Sequence, residues 1–587
     1  MFVPFANIWV HSALEAALGE DWKLQGADIL MVRCSTVFQS ACPAIDESSL
    51  TTGSPTEDKM RICTKCILRR QNLDSQYGFN SLEIGTYITP ADRKDVDLVL
   101  SKVRLEAWDT LVVEGLDIGK IAAYEFFLRN KLDSMKIPLV LWPEYKSHLM
   151  SALLALKASK RLLESHKPDL VIVHNELYGV NNVVAKTARS MGITVRHLGI
   201  GLEVSKYGSS LTLFKDYDSE LQLPASELWQ KYKAKGQSNL NLESFVSSMR
   251  YRAKGQSAFT YSSRSKRRGE IQVRKKLGLF EEKPTILFLT SSTDERFAAD
   301  LTGTLPESIT VKDTKNFKNL EQYLHELIDV FRSNQEIQLI IRIHPRMFPN
   351  KRESVRSAAA IRLLDFLSNP PANVIVNWPE QGLSLFEVAQ LCNTALNISS
   401  SAGLELLSLG IPVGIYEPER LFAYPREFNL PVMSGEAFGQ YVRRISSESW
   451  DIKHVRNAVF FRMFLTQVVS IDLAGKLPDR KRWTWLRLVN GLDLRTRFPV
   501  PQRLLRTLEN CEMQRTRRKP PVGLDIAKVA DRDFQTLEIS EMQSTQKDSY
   551  NQDLALALKD IYKATFGLTP LLGRKLLMTG SVSQSGA

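Results

Sequence analysis

The feature that most constrains the fold is a strand, turn, helix and strand pattern around residue 400. Residues 395–398 predict a short buried strand, residues 404–409 predict a helix ending at Gly410, and residues 411–415 predict the next strand. Neighbouring parallel strands need a crossover connection, which is usually a helix, whereas antiparallel neighbours need only a tight turn. A strand, helix and strand sequence therefore indicates two parallel strands. A parallel sheet is covered by helices on both faces. The pattern therefore predicts a doubly wound α/β unit.

The same alternation recurs in two separate blocks of the chain. In the first third, residues 12–25, 147–165 and 180–191 predict helices, and the predicted strands are 7–10, 28–32, 110–113, 139–142, 168–175 and 193–197. In the second block the predicted strands are 285–290, 337–343, 373–377, 395–398 and 411–416. Regular alternation of this kind predicts parallel sheets whose ligands lie at the carboxyl ends of the strands.

The predicted fold class is α/β, with two Rossmann-like domains facing a cleft and a C-terminal extension. The expected boundaries are 1–230 for an N-terminal acceptor domain, 231–280 for a connecting segment, 281–475 for a C-terminal donor domain, and 476–587 for a basic, helical extension with a disordered tail. At 587 residues the chain is too long for one core.

Composition excludes several classes of protein. With 43% hydrophobic and 24% charged residues and no long apolar run, the chain has no predicted membrane-spanning helix. Its first residues lack the basic start of a signal peptide, so a cytoplasmic location is expected. No Walker motif and no complete dinucleotide fingerprint occurs, which argues against a P-loop NTPase and a dehydrogenase.

Positive charge is concentrated in two clusters, within a formal net charge of +12. The first, residues 264–276, is explained equally well as solvated linker surface. The second, residues 480–519, interleaves Trp483 and Trp485 with arginines, which favours peripheral binding to an anionic inner-membrane face. Packing of this segment against the first domain is the alternative. Nucleic acid is not an expected partner.

Four of the six cysteines lie near the N-terminus: Cys34, Cys42, Cys63 and Cys66. Cys63 and Cys66 have the spacing of a zinc half-site, whereas Cys34 and Cys42 are too far apart for that pattern. A structural zinc and free cytosolic thiols both remain as interpretations. No disulfide framework is implied.

The residues that carry chemistry follow the strands of the second block. Ser399, Ser400 and Ser401 precede a helix, where hydroxyls and free backbone N–H groups suit a phosphate. His344 and Pro345 follow the strand at 337–343, so the imidazole can bond a phosphate oxygen or protonate a leaving group. The further candidates for donor contacts are Ser291, Ser292, Arg342, Glu405 and Glu417.

These motifs resemble those of bacterial capsule and surface-polysaccharide glycosyltransferases of the GT-B class. The similar blocks are residues 290–295, 342–345 and 399–405, and the resemblance is to the group with His-Pro and Ser-Ser motifs, which includes Kdo transferases, polysialyltransferases and CDP-glycerol-dependent polymerases. It implies that these motifs hold the nucleotide phosphate of an activated donor. It also implies a metal-independent reaction, so no cofactor is required beyond the nucleotide-sugar substrate.

A transferase also needs a group that activates the acceptor hydroxyl. The resemblance places that group in the N-terminal domain, where His11, Glu114, His174 and Glu176 follow predicted strands. Each of the four can also be a structural hydrogen-bonding residue at a strand end, and sequence does not choose among them.

The resulting expectation is a glycosyltransferase that moves a sugar from a nucleotide donor to a surface polysaccharide or glycolipid. A CMP-sugar is favoured over UDP- and GDP-sugars. The alternatives are a glycerophosphotransferase that uses CDP-glycerol, a nucleotide-sugar 2-epimerase, and a non-catalytic protein that binds anionic surfaces.

Overall fold

The structure is a computed structural model. It describes residues 1–3, 8–48, 50–202, 208–234, 242–255, 261–279, 283–303, 319–350, 354–417, 421, 423–473, 476–477, 507, 525–531, 554 and 557. The polar tail at 580–587 and the second basic cluster, residues 480–519, lie outside the described residues except for Thr507. The membrane-surface interpretation therefore stays a prediction.

The first unit is built on a seven-stranded sheet, counted over the described residues, in the order β12-β6-β5-β4-β1-β2-β3. Strands β1 to β5 are parallel neighbours, and β6 and β12 add an antiparallel edge. The strands are β1 Phe2–Val3, β2 Leu30–Arg33, β3 Asn80–Glu83, β4 Leu170–His174, β5 Thr194–Ile200, β6 Ser210–Phe214 and β12 Ile471–Asp472.

Helices cover both faces of this sheet. Their bounds are α1 Trp9–Leu24, α2 Pro43–Glu47, α3 Thr56–Tyr77, α4 Pro90–Lys102, α5 Ile118–Ile121, α6 Tyr124–Asn130, α7 Trp142–His166, α8 Gly179–Ser190 and α9 Tyr217–Leu221. Long helix α7 packs chiefly on α8, and its buried face carries leucines and alanines, whose repeat gives a continuous apolar stripe.

The second unit is built on a sheet of five described strands, all parallel, in the order β11-β10-β7-β8-β9. The strands are β7 Thr285–Leu289, β8 Gln338–Arg342, β9 Val374–Asn377, β10 Thr394–Asn397 and β11 Val413–Gly414. All five coincide with predicted strands. Together the two sheets, the first mostly parallel and the second parallel in its described strands, confirm the α/β class with two doubly wound units.

The connecting segment and the second unit carry the remaining helices. These are α10 Glu227–Ala234, α11 Leu242–Ala253, α12 Glu270–Leu277, α13 Thr293–Leu301, α14 Leu320–Arg332, α15 Ala358–Phe366, α16 Leu385–Ala389, α17 Ala402–Leu407, α18 Phe438–Ile445 and α19 Ile452–Phe464. Tyr232 of α10 stacks on Phe460 of α19 with 4.8 Å between ring centroids, so the connecting segment shares the core of the second unit.

Three predicted strands of the first unit are wrong. The strand predicted at 7–10 is wrong because Trp9 already begins α1, and the strand at this end of the chain is β1. Residues 108–110 form a 3-10 turn instead of the strand predicted at 110–113. Residues 139–141 form a second 3-10 turn that leads into α7. Short apolar runs do not distinguish a strand from the first turn of a helix.

The C-terminal extension returns to both units. Strand β12 pairs with β6, so the end of the range predicted for the donor domain belongs to the first sheet. A short helix, α20 (Ile526–Ala530), packs there too, and its Val529 carbonyl oxygen accepts a 2.7 Å hydrogen bond from Arg196 Nε. Leu554 and Ala557 are buried in the core of the second unit. Within the described residues, no helix is long and apolar enough to span a bilayer.

Candidate functional site

A cavity of about 220 Å³ opens at the carboxyl edge of the second sheet. It lies where the strand order reverses, between β7 and its neighbours β8 and β10, and open α/β sheets bind their ligands at such switch points. The described lining residues are Arg252, Tyr261, Ser262, Leu289, Thr290, Arg342, His344, Pro345, Leu385, Ser400, Ser401, Ala402 and Glu405.

The serine turn is held rigidly by Asn397, the last residue of β10. Asn397 Oδ1 accepts the Ser400 backbone N–H at 3.0 Å, and its Nδ2 donates to the Ser400 carbonyl oxygen at 2.8 Å. Ser400 Oγ in turn accepts the Ala402 N–H at 3.2 Å. Ser401 is exposed at the start of α17. The turn therefore presents its small polar residues to the cavity in a fixed geometry.

Gly403 permits this turn to pack against a buried tyrosine. A Cβ at this position would lie 2.2 Å from the Tyr424 hydroxyl oxygen and 2.6 Å from Asn397 Nδ2. Both neighbours are buried and hydrogen-bonded to each other, so neither can move away cheaply.

We expect Gly403→Ala to destabilise the protein by about 1–3 kcal/mol, because the added methyl overpacks the site. Gly269→Ala is the control, since a Cβ there meets no atom within 4 Å. Urea unfolding of both variants measures the difference. Equal stabilities would show that the serine turn relaxes freely.

His344 lines the cavity with a neutral ring whose tautomer is defined. Its Nδ1 accepts the Arg346 backbone N–H at 3.3 Å, so the ring proton lies on Nε2. Burial, with help from Arg346 and Arg342, lowers the pKa of His344 to about 3. A neutral ring near pH 7 can donate a hydrogen bond to an anion. This favours the phosphate-binding role over protonation of a leaving group.

Arg342, the last residue of β8, is buried and already engaged. Its guanidinium donates to Asn377 Oδ1, to Ser262 Oγ at 3.0 Å and to the Leu383 carbonyl oxygen at 3.2 Å. Burial lowers its pKa to about 10, so it remains charged. It supplies positive potential at the cavity wall and anchors Ser262 of the connecting segment.

The connecting segment contributes residues that sequence did not single out. Arg252 of α11 forms an ion pair with Glu405 of α17, and both side chains line the cavity. Tyr261 and Ser262 complete this wall. No local motif marks these positions, because they reach the site through tertiary contacts alone. Glu405, a candidate for donor contacts, is thus held by an arginine.

The other donor-side candidates follow strands of the second sheet, and Ser291, Ser292 and Ser399 are not among the described lining residues of the cavity. Ser291 Oγ lies 3.0 Å from Ser399 Oγ, which links the ends of β7 and β10. Ser292 Oγ donates to Asp294 at 2.6 Å and is buried. Pro345 lines the cavity, whereas Glu417 follows β11 and is not among the described lining residues.

In the first unit, two of the four acceptor-side candidates come together. The rings of His11 on α1 and His174 at the end of β4 lie 3.8 Å apart between centroids. Glu114 instead forms ion pairs with Lys157 and Lys160, and the hydrogen bond from Lys157 lowers its pKa. Glu176 is paired with Arg189.

The four N-terminal cysteines line one small cavity beside Phe38 and Ile45. Burial raises the pKa of Cys34 to about 12 and that of Cys42 well above its usual value, which favours the protonated thiols. Among the described residues, no group of three or more His, Cys, Asp or Glu side chains is placed to hold a metal ion. Structural zinc and free thiols both stay predictions.

Comparisons with known proteins add little to this picture. No family model matches the chain, and no curated protein matches it. Among solved structures, it is similar to the beta Kdo 2,4 transferase KpsC of Thermosulfurimonas dismutans, at 13% identity over 50% of this chain and 88% of that one, with a TM-score of 0.28.

A second similar structure is the UDP-GlcNAc 2-epimerase of Methanocaldococcus jannaschii, at 11% identity over 79% of this chain and 99% of that one, with a TM-score of 0.25. A third is the Neisseria meningitidis epimerase bound to UDP-GlcNAc, at 10% identity over 79% and 97%, with a TM-score of 0.24. Similarity this low does not indicate which reaction the chain catalyses.

Proposed function

We propose that this protein is a glycosyltransferase that moves a sugar from a nucleotide-activated donor to a surface polysaccharide or glycolipid acceptor. A CMP-sugar is the favoured donor because the His-Pro and Ser-Ser motifs resemble those of transferases that use such donors. In this proposal the nucleotide phosphate occupies the cavity at the carboxyl edge of the second sheet.

The observation that carries the proposal is the charge and hydrogen-bonding character of that cavity. Within the described lining, two guanidinium groups, Arg252 and Arg342, face one carboxylate, Glu405, which leaves an excess of positive charge. A neutral imidazole N–H and several hydroxyl groups add donors that do not repel an anion. Such a lining suits a phosphate ester.

The same lining can assist departure of the nucleotide. Negative charge grows on the phosphate oxygen as its bond to the sugar breaks, and fixed donors stabilise that charge without rearranging. His344 Nε2 and the exposed Ser401 hydroxyl are the donors suited to this task. In the described lining, the carboxylate of Glu405 is held in its ion pair with Arg252, so in this proposal the acceptor hydroxyl loses its proton elsewhere.

The proposal is tested by thermal unfolding in the presence of CMP, CDP, UDP and GDP. A nucleotide that binds only the folded protein raises the midpoint as its concentration rises. We expect Ser401→Asp to abolish the shift, because a carboxylate at the cavity repels the phosphate. Ser368→Asp, at an equally exposed serine remote from the cavity lining, should keep it.

Activity then separates the alternatives. Nucleotide release that depends on an added glycan acceptor supports a transferase. Conversion of a free nucleotide sugar without acceptor would identify an epimerase, and transfer from CDP-glycerol would identify a glycerophosphotransferase. A protein whose midpoint no nucleotide shifts is not a nucleotide-dependent enzyme, and the proposal fails.

A further inference from the structure

A second cavity lies at the switch point of the first sheet, between β1 and β4. The helices that follow these strands, α1 and α8, form its walls, and its volume is about 10 Å³. That is roughly the room needed by one water molecule or one hydroxyl group. The described lining residues are Ile8, His11, Glu15, Pro43, His174, Tyr178 and Asn181.

Polar atoms of this lining lack hydrogen-bond partners. His174 is 5% exposed and Asn181 is 1% exposed. His174 Nδ1 and Asn181 Oδ1 have no partner among the described residues, although Asn181 Nδ2 donates to the His174 carbonyl oxygen. Buried polar atoms are nearly always satisfied in folded proteins. A water or a substrate hydroxyl is the smallest group that can satisfy these two.

Glu15 adds a carboxyl group to the same lining. It lies one helical turn after His11 on α1, so both side chains project from one face of the helix. Glu15 is buried, and burial raises its pKa to about 7. From α3, the positive charge of Arg70 opposes this shift and the negative charge of Asp74 adds to it.

The other titratable groups around Glu15 are His11, His174 and Tyr178. Burial lowers the pKa of His11 to about 4 and that of His174 well below its usual value. Both imidazoles are therefore neutral near pH 7. Glu15 is the group in the described lining whose protonation changes near pH 7, which is the property required of a general base.

We infer that this cavity receives the acceptor hydroxyl and that the Glu15 carboxylate takes its proton during transfer. The inference rests on the proposed function. The acceptor oxygen forms a bond to the anomeric carbon of the donor sugar, and the bond from that carbon to the phosphate oxygen breaks. The electron pair stays on the departing nucleotide phosphate, and the acceptor proton moves to Glu15.

Contacts between the two units link the helices beside this cavity to the helix that follows the donor-side serines. Tyr178 of the lining lies 6.3 Å from Tyr124 of α6, between ring centroids, and the neighbouring Phe127 lies 5.7 Å from Phe297 of α13. Helix α13 begins directly after Ser291 and Ser292 at the donor side. Helix α13 thus contacts the first unit, and Thr290, three residues before this helix begins, lines the donor cavity.

The test is the pH dependence of turnover by Glu15→Gln. The probe is whichever CMP-, UDP- or GDP-sugar the wild-type protein turns over, with nucleotide release as the readout. We expect kcat to fall roughly 100-fold or more, the usual loss of a general base. The rise of the wild-type rate through pH 7 should disappear, while the thermal shift caused by the free nucleotide stays unchanged.

Glu125→Gln is the matched control. Glu125 is a partly exposed carboxyl of the first unit whose pKa burial likewise raises to about 7, but it accepts the Gly179 N–H and is not among the described lining residues of the cavity. Its variant should keep the wild-type pH profile. If Glu15→Gln keeps the wild-type rate, the inference is wrong and the proposed function stands. If the wild-type protein turns over no nucleotide sugar, the inference and the proposed function are both wrong.

A second measurement does not depend on turnover. The carboxyl of Glu15 binds its proton more tightly in the folded than in the unfolded chain, so wild-type stability decreases as pH rises from about 4.5 to about 7. The melting midpoint of Glu15→Gln, relative to that of the wild type, should therefore increase as the pH rises across this window. A constant difference would contradict a buried, titrating Glu15. If this variant does not fold, His11→Gln replaces it, and an unchanged rate in that variant overturns the inference.

Discussion

His344→Ala is expected to lower kcat roughly 100- to 1000-fold, the effect of removing one fixed donor from a developing oxyanion. The stability cost should be small. The imidazole ring accepts a long hydrogen bond of 3.3 Å from the Arg346 backbone N–H. The shorter hydrogen bond, 2.8 Å, runs from the His344 backbone N–H to Thr290 Oγ1 and does not involve the His344 side chain. Steady-state kinetics and urea unfolding measure the two effects.

The pattern across substitutions identifies the role of the ring. His344→Gln keeps a side-chain N–H donor and should recover part of the rate, which a proton-transfer role would not allow. Because the pKa of His344 is held near 3, neither variant should move the pH profile between pH 5 and 9. His325→Ala, at an exposed histidine of α14, is the control. Unchanged kinetics in His344→Ala would leave the ring a purely structural role.

Lys131→Met is expected to destabilise the protein by on the order of 3 kcal/mol or more. Lys131 ends α6 and is fully buried, and its Nζ donates to the carbonyl oxygens of Arg346 at 2.6 Å, Phe348 at 3.1 Å and Val355 at 2.6 Å. The substitution removes these bonds and leaves buried carbonyl groups without their donor.

The same change should weaken nucleotide binding. Arg346 and Phe348 belong to the loop that follows His344 and Pro345, and Lys131 holds this loop from the other unit. Lys136→Met, at an exposed lysine five residues later, should alter neither stability nor the thermal shift by CMP. A variant that loses stability but binds nucleotide like the wild type would show that the loop keeps its shape without the lysine.

Sequence predicted the second unit well because its strands are buried on both faces. Strands such as β7 and β8 read as continuous apolar runs, and the polar residues that follow them fall at the ligand edge. The His-Pro and serine segments line one cavity as expected. The two segments come together because they follow parallel strands, whose carboxyl ends lie at the same edge of the sheet. The alternation of strands and helices in the sequence already implies that parallel arrangement.

The first unit was harder to predict, for identifiable reasons. Edge strand β3 has the sequence Asn-Ser-Leu-Glu, which lacks a strand pattern, and β6 lies beyond the last strand predicted for the first unit. The site residues Arg252 and Tyr261 depend on how the connecting segment folds back over the second sheet. Glu15 looks like an ordinary helix carboxylate until its burial is known.

The return of the chain at β12 has a consequence for how this protein is made. Strand β6 forms an edge of the first sheet that β12 covers only from residue 471 onward. On the ribosome, the whole second sheet has emerged before this partner strand is synthesised. An unpaired edge is a template for wrong strand pairing. Synthesis of the first unit therefore begins before that of the second unit and ends after it. The edge of β6 stays unpaired for a shorter time if the nascent second unit folds without delay.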